Sequence, residues 1–316
     1  MELKEVSLKD RYDLDKDQII LNGTQALVRL MLMQKARDRL CGNDTAGLVT
    51  GYRGSPMGSV DFQMQIAKKE LSESDILFQL GLNEDLAATA LWGSQQSELR
   101  GEGKFDGVFG LWYGKGPGID RSGDVMRHAN MAGTSPLGGV LMAMGDDHTG
   151  ESSTTLHQSD FALIDAMMPI LSPAGVQEIL DYGLLGIAMS RFAGVWVGLK
   201  CTKDTIEVTS VVDARNDRIN ISLPNLDLPD GGLNIRLVDL PINQEERLHR
   251  YKKIAAEEFA RSNKIDQRVH GKSDSKIGFV AAGKNWLDLA HSMQLLGLDE
   301  DECNLLKIKT YKIGMI

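Results

Sequence analysis

As far as Lys200 the chain alternates short apolar runs with longer stretches that are apolar on one side only. Ala46–Thr50, Ile76–Gln79, Gly107–Trp112, Pro136–Met144, Met168–Leu171 and Val195–Lys200 are the apolar runs. Each is of strand length and reads as buried on both faces, the mark of a parallel sheet. Between them the spacing predicts helices over Gln25–Leu40, Val60–Leu71, Glu84 to about Arg100, about Arg121 to Gly133, Asp160–Ala166 and Gly175–Phe192. Asn22-Gly23-Thr24 and Asn83 supply start signals, Gly42-Asn43 a stop, and Ser172-Pro173 another start. Strands and helices in strict alternation predict an α/β, doubly wound, mainly parallel sheet.

The pattern changes after Thr202. Thr205–Leu223 leans to β, most strongly over Ile206–Val212, and Pro224–Pro241 is a connector rich in Pro, Gly, Asn and Asp. A helix from about Glu245 to Asn263 follows, its Glu/Lys/Arg-rich face most simply solvated. Lys276–Gly283 then restarts a β-α pattern with a helix over Asn285–Leu296 and a strand at Leu305–Ile308. The expected organisation is a first domain over 1–203, a β-leaning connector with a linking helix over 204–274, and the start of a second α/β domain over 275–316. A doubly wound domain needs roughly a hundred residues or more, so the last one is expected to be incomplete at Ile316.

Composition narrows the class. With 316 residues, a formal net charge of -9 and no Lys/Arg block interleaved with aromatics, nucleic acid is not an expected partner. The sequence has no apolar run of membrane-spanning length, and the polar lead-in Met1–Gln18 has no apolar core that would make a signal peptide, so a cytoplasmic protein is expected, without a membrane partner. Cys41, Cys201 and Cys303 are odd in number and far apart, which fits a reducing compartment and provides no zinc or iron-sulfur spacing. A metal cluster would have to lie on another polypeptide or beyond Ile316.

Candidate chemistry falls at the carboxyl ends of the apolar runs, where open α/β sheets bind ligands. Gly51-Tyr52-Arg53-Gly54-Ser55-Pro56-Met57-Gly58-Ser59 lacks the Gly-Lys-Ser/Thr ending of a Walker loop. It is either a surface turn or a loop in which Arg53 and Ser55 hold a carboxylate or phosphate. Leu80-Gly81-Leu82-Asn83-Glu84 turns into a helix with Glu84 in its first turn. There the carboxylate either complements the helix dipole together with Asp85 or meets a cofactor. In Tyr113–Asp120 the first two glycines of a dinucleotide fingerprint fall on Gly114 and Gly116, but the third falls on Ile119 and Pro117 sits inside the turn. Gly145–Ser153 delivers Asp146, Asp147 and His148 as a polar rim or as metal ligands. Consecutive loop residues rarely give three ligands to one ion, so no metal site is assigned.

Taken together, Val49-Thr50-Gly51-Tyr52-Arg53-Gly54-Ser55-Pro56, Gly81-Leu82-Asn83-Glu84-Asp85-Leu86-Ala87, Lys115-Gly116-Pro117-Gly118, and Gly145-Asp146-Asp147-His148 with Ser152-Ser153 resemble, in this order, the N-terminal portion of an indolepyruvate ferredoxin oxidoreductase. That family consists of thiamine-diphosphate 2-oxoacid oxidoreductases, and the resemblance covers nearly the whole chain. It implies that the first domain binds the pyrimidine ring of thiamine diphosphate and that the segment after Ser275 begins a transketolase-C-terminal-like domain. By resemblance Glu84 is the cofactor-activating carboxylate, hydrogen-bonded to the pyrimidine N1′, with Gly81, Asn83, Lys115 and Gly116 as further cofactor contacts. Arg53, Gly54, Ser55, Pro56, Asp147 and His148 then face the substrate.

The family's reaction is oxidative decarboxylation of an aryl 2-oxoacid, with coenzyme A taking the acyl group and ferredoxin or another acceptor taking electrons through iron-sulfur clusters. Neither cluster cysteines nor the Gly-Asp-Gly plus Asn pattern that holds magnesium and diphosphate is present. The chain is therefore expected to be inactive alone, to need a diphosphate-binding domain or subunit that carries the magnesium, and to form a homo-oligomer. Two alternatives stay open: a non-oxidative thiamine-diphosphate decarboxylase component, and a non-catalytic α/β binding module whose strand-end loops do not converge.

Overall fold

The computed structural model describes residues 6–150 and 156–316. A 3-10 turn at Asp10–Tyr12 leads into β1 (Gln18–Asn22) and α1 (Gly23–Leu40). There follow β2 (Ala46–Gly51), α2 (Val60–Ile66), α3 (Lys68–Glu73), β3 (Ile76–Leu80), α4 (Glu84–Ser94) and β4 (Val108–Lys115). Next come α5 (Gly116–Arg121), α6 (Gly123–Ala132), β5 (Val140–Asp146), α7 (Asp160–Asp165), β6 (Ile170–Leu171), α8 (Val176–Ala193) and β7 (Trp196–Thr202). The strands from β2 to β7 form one six-stranded sheet in the order β3-β2-β4-β5-β7-β6, and every pairing in it is parallel. This is the α/β, doubly wound architecture that the alternation predicts.

Side-chain alternation along the central strands explains why both faces are covered. Phe109, Leu111 and Tyr113 of β4, Leu141 and Ala143 of β5, and Val197 and Leu199 of β7 point into one core with α1 and α8. Trp112, Met142 and Trp196 point into a second core, against Ala87 and Leu91 of α4, Met126 and Ala129 of α6 and Leu163 of α7. The amino ends of the strands are held by polar side chains that are themselves buried. Asp38 on α1 takes a bidentate contact from Arg191 at 2.7 and 2.8 Å, and further hydrogen bonds from Gln34 at 2.9 Å and Thr45 at 2.7 Å. Arg191 also donates to the carbonyls of Leu137 and Gly138 ahead of β5, at 2.9 and 2.8 Å.

The remainder of the chain is α9 (Lys203–Ile206), β8 (Thr209–Asp213), α10 (Pro241–Arg247), a π-helical turn (Leu248–Lys252), α11 (Lys253–Ser262), β9 (Gln267–His270), β10 (Ile277–Ala282), α12 (Gly283–Leu295), α13 (Glu300–Leu305) and β11 (Ile308–Ile313). A small sheet runs in the order β10-β11-β9, with β10 parallel and β9 antiparallel to β11. It is docked on the large sheet at β6, where Ser172 N donates to Gly314 O and Ile316 N donates to Ile170 O, both at 2.8 Å. None of the helices described is long and apolar enough to cross a membrane.

Several local expectations are corrected. The helix read to about Arg100 ends at Ser94, because Gln95 turns inward, donating to Val108 O at 2.8 Å and accepting from Gly139 N at 2.9 Å. The Val60–Leu71 helix breaks at Ala67, and the Arg121–Gly133 helix is replaced by α5 and α6, which meet at Ser122. Tyr113–Asp120 is not a loop: β4 continues to Lys115, in register with Gly145, and Gly116-Pro117 opens α5. Proline is well placed there, since the first turn needs no donor from it.

Within the β-leaning Thr205–Leu223, only Thr209–Asp213 is a strand. It pairs antiparallel with β1, which begins at Gln18, the last residue of the polar lead-in; residues 1–5 of that lead-in lie outside the described residues. The linking helix starts at Pro241, and Arg247 and Lys252 on its charged face are buried rather than solvated. Leu305 closes α13, and the last strand begins at Ile308.

Candidate active site

The carboxyl ends of the strands of the large sheet carry the turns that the sequence singles out, and close glycine contacts join them. A Cβ on Gly54 would lie 2.9 Å from Cβ of Lys115, and one on Gly145 would lie 3.2 Å from Cδ of Pro56. Gly81 N donates to Gly51 O at 3.0 Å. The turns after Thr50, Leu80, Trp112 and Met144 therefore touch one another in sequence along one edge.

Glu84 opens α4, and its position is determined from three sides. Asn83 caps the helix, accepting from Leu86 N at 2.9 Å. The indole of buried Trp112, one strand away, donates to the Glu84 carbonyl at 3.1 Å. Gly118 in α5 lies against the Glu84 side chain, so closely that a Cβ there would sit 2.5 Å from Cγ and 3.0 Å from Oε1. The neighbouring Asp85 pairs with Arg121 at 3.0 Å, tying the end of α5 to the start of α4. Glu84 is half-buried, and among the described residues its carboxylate has no hydrogen-bond or ion-pair partner.

The other residues expected from the sequence divide into two groups. Gly54, Pro56, Lys115 and Gly116 lie in the contacting turns, with Pro56 and Gly116 buried. Arg53 and Ser55 are exposed on the same turn. Asp147 is buried, whereas His148 is exposed and faces Asp204 at 3.3 Å. Ser152 and Ser153 lie outside the described residues. Among the described residues, no group of three or more His, Cys, Asp or Glu side chains could hold a metal ion.

Beyond α5 lies a polar cluster. Asp146, the last residue of β5, is buried and accepts from Ser159 N at 3.1 and 3.2 Å and from the Ser159 hydroxyl at 2.5 Å. Burial pushes its carboxyl above the usual carboxylate range, opposed by those hydrogen bonds and by Lys200, whose Nζ lies 3.9 Å away. Lys200 is itself paired with Asp160. Asp146, His148, His157, Lys200, Asp204 and Lys284 are among the residues lining a cavity of about 260 Å³ between this edge and α12. Sequence reasoning missed Trp112, Asp120, Arg121, His157, Ser159 and Lys200. Trp112 reads as one more apolar strand residue, and the others belong to no spaced motif.

Comparison with known proteins bears on this arrangement. A family model described as an indolepyruvate oxidoreductase domain matches residues 267–316. The chain is 24% identical over 314 residues to the indolepyruvate oxidoreductase subunit IorA of Pyrococcus abyssi, covering 96% of this chain and 42% of that protein. The IorA subunit of Methanothermobacter marburgensis is 22% identical over 291 residues, covering 90% of this chain and 42% of that protein. The chain thus spans 42% of the length of these curated relatives. A solved 2-oxoglutarate:ferredoxin oxidoreductase from Magnetococcus marinus, with 2-oxoglutarate, coenzyme A and succinyl-CoA bound, shares the fold. The TM-score is 0.66 at 15% identity, over 95% of this chain and 54% of that one. Over nearly its whole length this chain is similar in sequence to the IorA subunits of indolepyruvate oxidoreductases.

Proposed function

We propose that this chain forms the pyrimidine-binding side of a thiamine-diphosphate site in an indolepyruvate ferredoxin oxidoreductase, serving oxidative decarboxylation of an aryl 2-oxoacid. The observation that carries this reading is the Glu84 carboxylate, half-buried at a strand-to-helix edge and without a partner among the described residues. A carboxylate so held, with Gly118 leaving no side chain in front of it, fits a group that offers one ring nitrogen to be hydrogen-bonded.

When bound, thiamine diphosphate supplies nucleophilic addition to the 2-oxo carbon and a sink for the electron pair left by decarboxylation. Glu84 holds the proton at the pyrimidine N1′, and Gly81, Asn83, Lys115 and Gly116 border the ring. Arg53, Gly54, Ser55 and Pro56 form the substrate-facing turn, with Asp147 and His148 across the edge. Arg53 and Ser55 are the groups suited to the substrate carboxylate. In this reading residues 1–203 are the pyrimidine-binding domain, 204–274 the connector and 275–316 the start of a transketolase-C-terminal-like domain. Magnesium and the diphosphate, the iron-sulfur clusters, coenzyme A and ferredoxin are served by other parts of the polypeptide or by partner chains.

The test is Glu84→Gln in the complete enzyme, assayed by indolepyruvate-dependent reduction of an acceptor dye. Turnover is expected to fall at least about a hundredfold with the fold retained, the scale of a general acid-base contribution. Unchanged turnover overturns the assignment.

A further inference from the structure

α5 is a short helix of 6 residues, and it is gripped from both sides. On one side Gly118 backs the Glu84 side chain and Arg121 holds Asp85 at 3.0 Å. On the other stands His157, from the segment that follows β5. Its imidazole lies on Gly116, so closely that a Cβ there would overlap the ring. Its Nε2 meets Asp120 Oδ2 at 2.9 Å, one turn further along α5. His157 therefore spans α5 from its first residue to its fifth, and no side chain larger than hydrogen fits under the ring at Gly116.

The anchor behind His157 is firm. Two residues on, Ser159 is fixed to buried Asp146 through both its amide and its hydroxyl. Among the described residues His157 Nδ1 is buried without a hydrogen-bond partner, 4.0 Å from Asp146 Oδ1. The ring is thus hydrogen-bonded to the Asp120 carboxylate at Nε2 and faces the Asp146 carboxylate at longer range with Nδ1.

We propose that His157 is a positioning residue for Glu84: through Gly116 and Asp120 it sets the placement of α5, and α5 sets the Glu84 carboxylate against the cofactor ring. The inference rests on the thiamine-diphosphate reading of the site. A displacement of about an ångström at a reacting group costs about a hundredfold in rate, so loss of the grip shows in cofactor activation before it shows in cofactor binding.

The experiment compares His157→Ala, Asp120→Asn and Gly116→Ala with Glu84→Gln in the complete enzyme. The primary readout is the rate at which the thiazolium C2 proton of bound thiamine diphosphate exchanges into deuterated water, beside the dissociation constant of the cofactor. Amide hydrogen exchange over residues 116–121 is followed in the protein without cofactor. His157→Ala is expected to slow C2 exchange about tenfold or more with cofactor affinity within about threefold of wild type, and to deprotect residues 116–121 specifically. Gly116→Ala keeps the histidine and displaces its ring, so it slows C2 exchange and deprotects residues 116–121 even if His157→Ala folds poorly, while its own contact with the cofactor ring lowers cofactor affinity as well. Asp120→Asn, which keeps the shape and weakens the contact, gives a smaller loss.

C2 exchange at the wild-type rate in His157→Ala and Gly116→Ala, with Glu84→Gln strongly impaired, overturns this inference alone. An equal loss of cofactor affinity and exchange in His157→Ala, which lies outside the cofactor contacts, also overturns it, because a general structural role would move both. Wild-type exchange in Glu84→Gln brings down the thiamine-diphosphate reading and this inference with it.

Discussion

The indole nitrogen of Trp112 donates to the backbone carbonyl of Glu84 across 3.1 Å, linking the middle of a buried strand to the first residue of the helix beside it. The acidic residue of the candidate site is thus fixed through its main chain by the core itself, and its side chain is left available. Trp112 is completely buried, so the placement does not depend on a mobile surface contact.

Trp112→Phe removes that donor and part of the ring volume. Unfolding free energy is expected to fall by about 1–3 kcal/mol, and turnover of the complete enzyme on indolepyruvate by about tenfold. Urea denaturation and dye-linked assay check the two parts. A variant equal to wild type in both shows that the core does not position Glu84.

The Asp38–Arg191 pair predicts a large loss at the opposite end of the sheet. Asp38→Ala leaves a mostly buried guanidinium without its carboxylate and is expected to cost about 3–5 kcal/mol, measured by denaturant unfolding. Combining it with Arg191→Met restores part of that loss, since the unpaired charge is then gone. A single-mutant loss under about 1 kcal/mol contradicts the role given to the pair.

Lys252 predicts a pH dependence. Its ammonium is buried against the carbonyls of Met131 at 3.0 Å and Asn130 at 3.3 Å, and desolvation lowers its pKa from 10.5 to about 7. Within that shift desolvation is the largest cause, Arg247 and Arg236 act in the same direction, and Asp239 opposes them. Between about pH 7 and 10.5 the unfolded chain holds the proton that the folded chain has released, so this group makes stability rise with pH across that window. The slope from one such proton is at most about 1.4 kcal/mol per pH unit. In Lys252→Met the rise is expected to flatten, as measured by urea unfolding at pH 7 and pH 9. An identical slope in the variant assigns the dependence to other groups.

Much of this architecture can be read from the apolar runs, because a strand buried on both faces leaves little room for another reading. The Asn22 and Asn83 caps were equally legible, since each side chain closes on a backbone amide within its own helix. What could not be read depends on partners far away in sequence. The short run Ile19–Leu21 between the polar lead-in and the Asn22 cap suggests no element by itself, and becomes a strand only where Gln18–Asn22 meets Thr209–Asp213. Gln95 ends its helix early because its amide group serves Val108 and Gly139, and Lys252 is buried by the carbonyls at the end of α6. At the candidate site Asn83 and Glu84 follow from local rules of helix initiation, whereas His157 acquires meaning only when it is seen lying on Gly116.

The bidentate pair of Asp38 and Arg191 has a consequence for how this protein can diverge. The groups that hold the sheet in register gather at its floor, and the turns offered to ligands stand on its roof. Substitutions on the roof can alter substrate preference without touching the foundations, whereas changes at the floor threaten every activity the scaffold carries. Variation among relatives is accordingly expected to be tolerated unequally at the two poles.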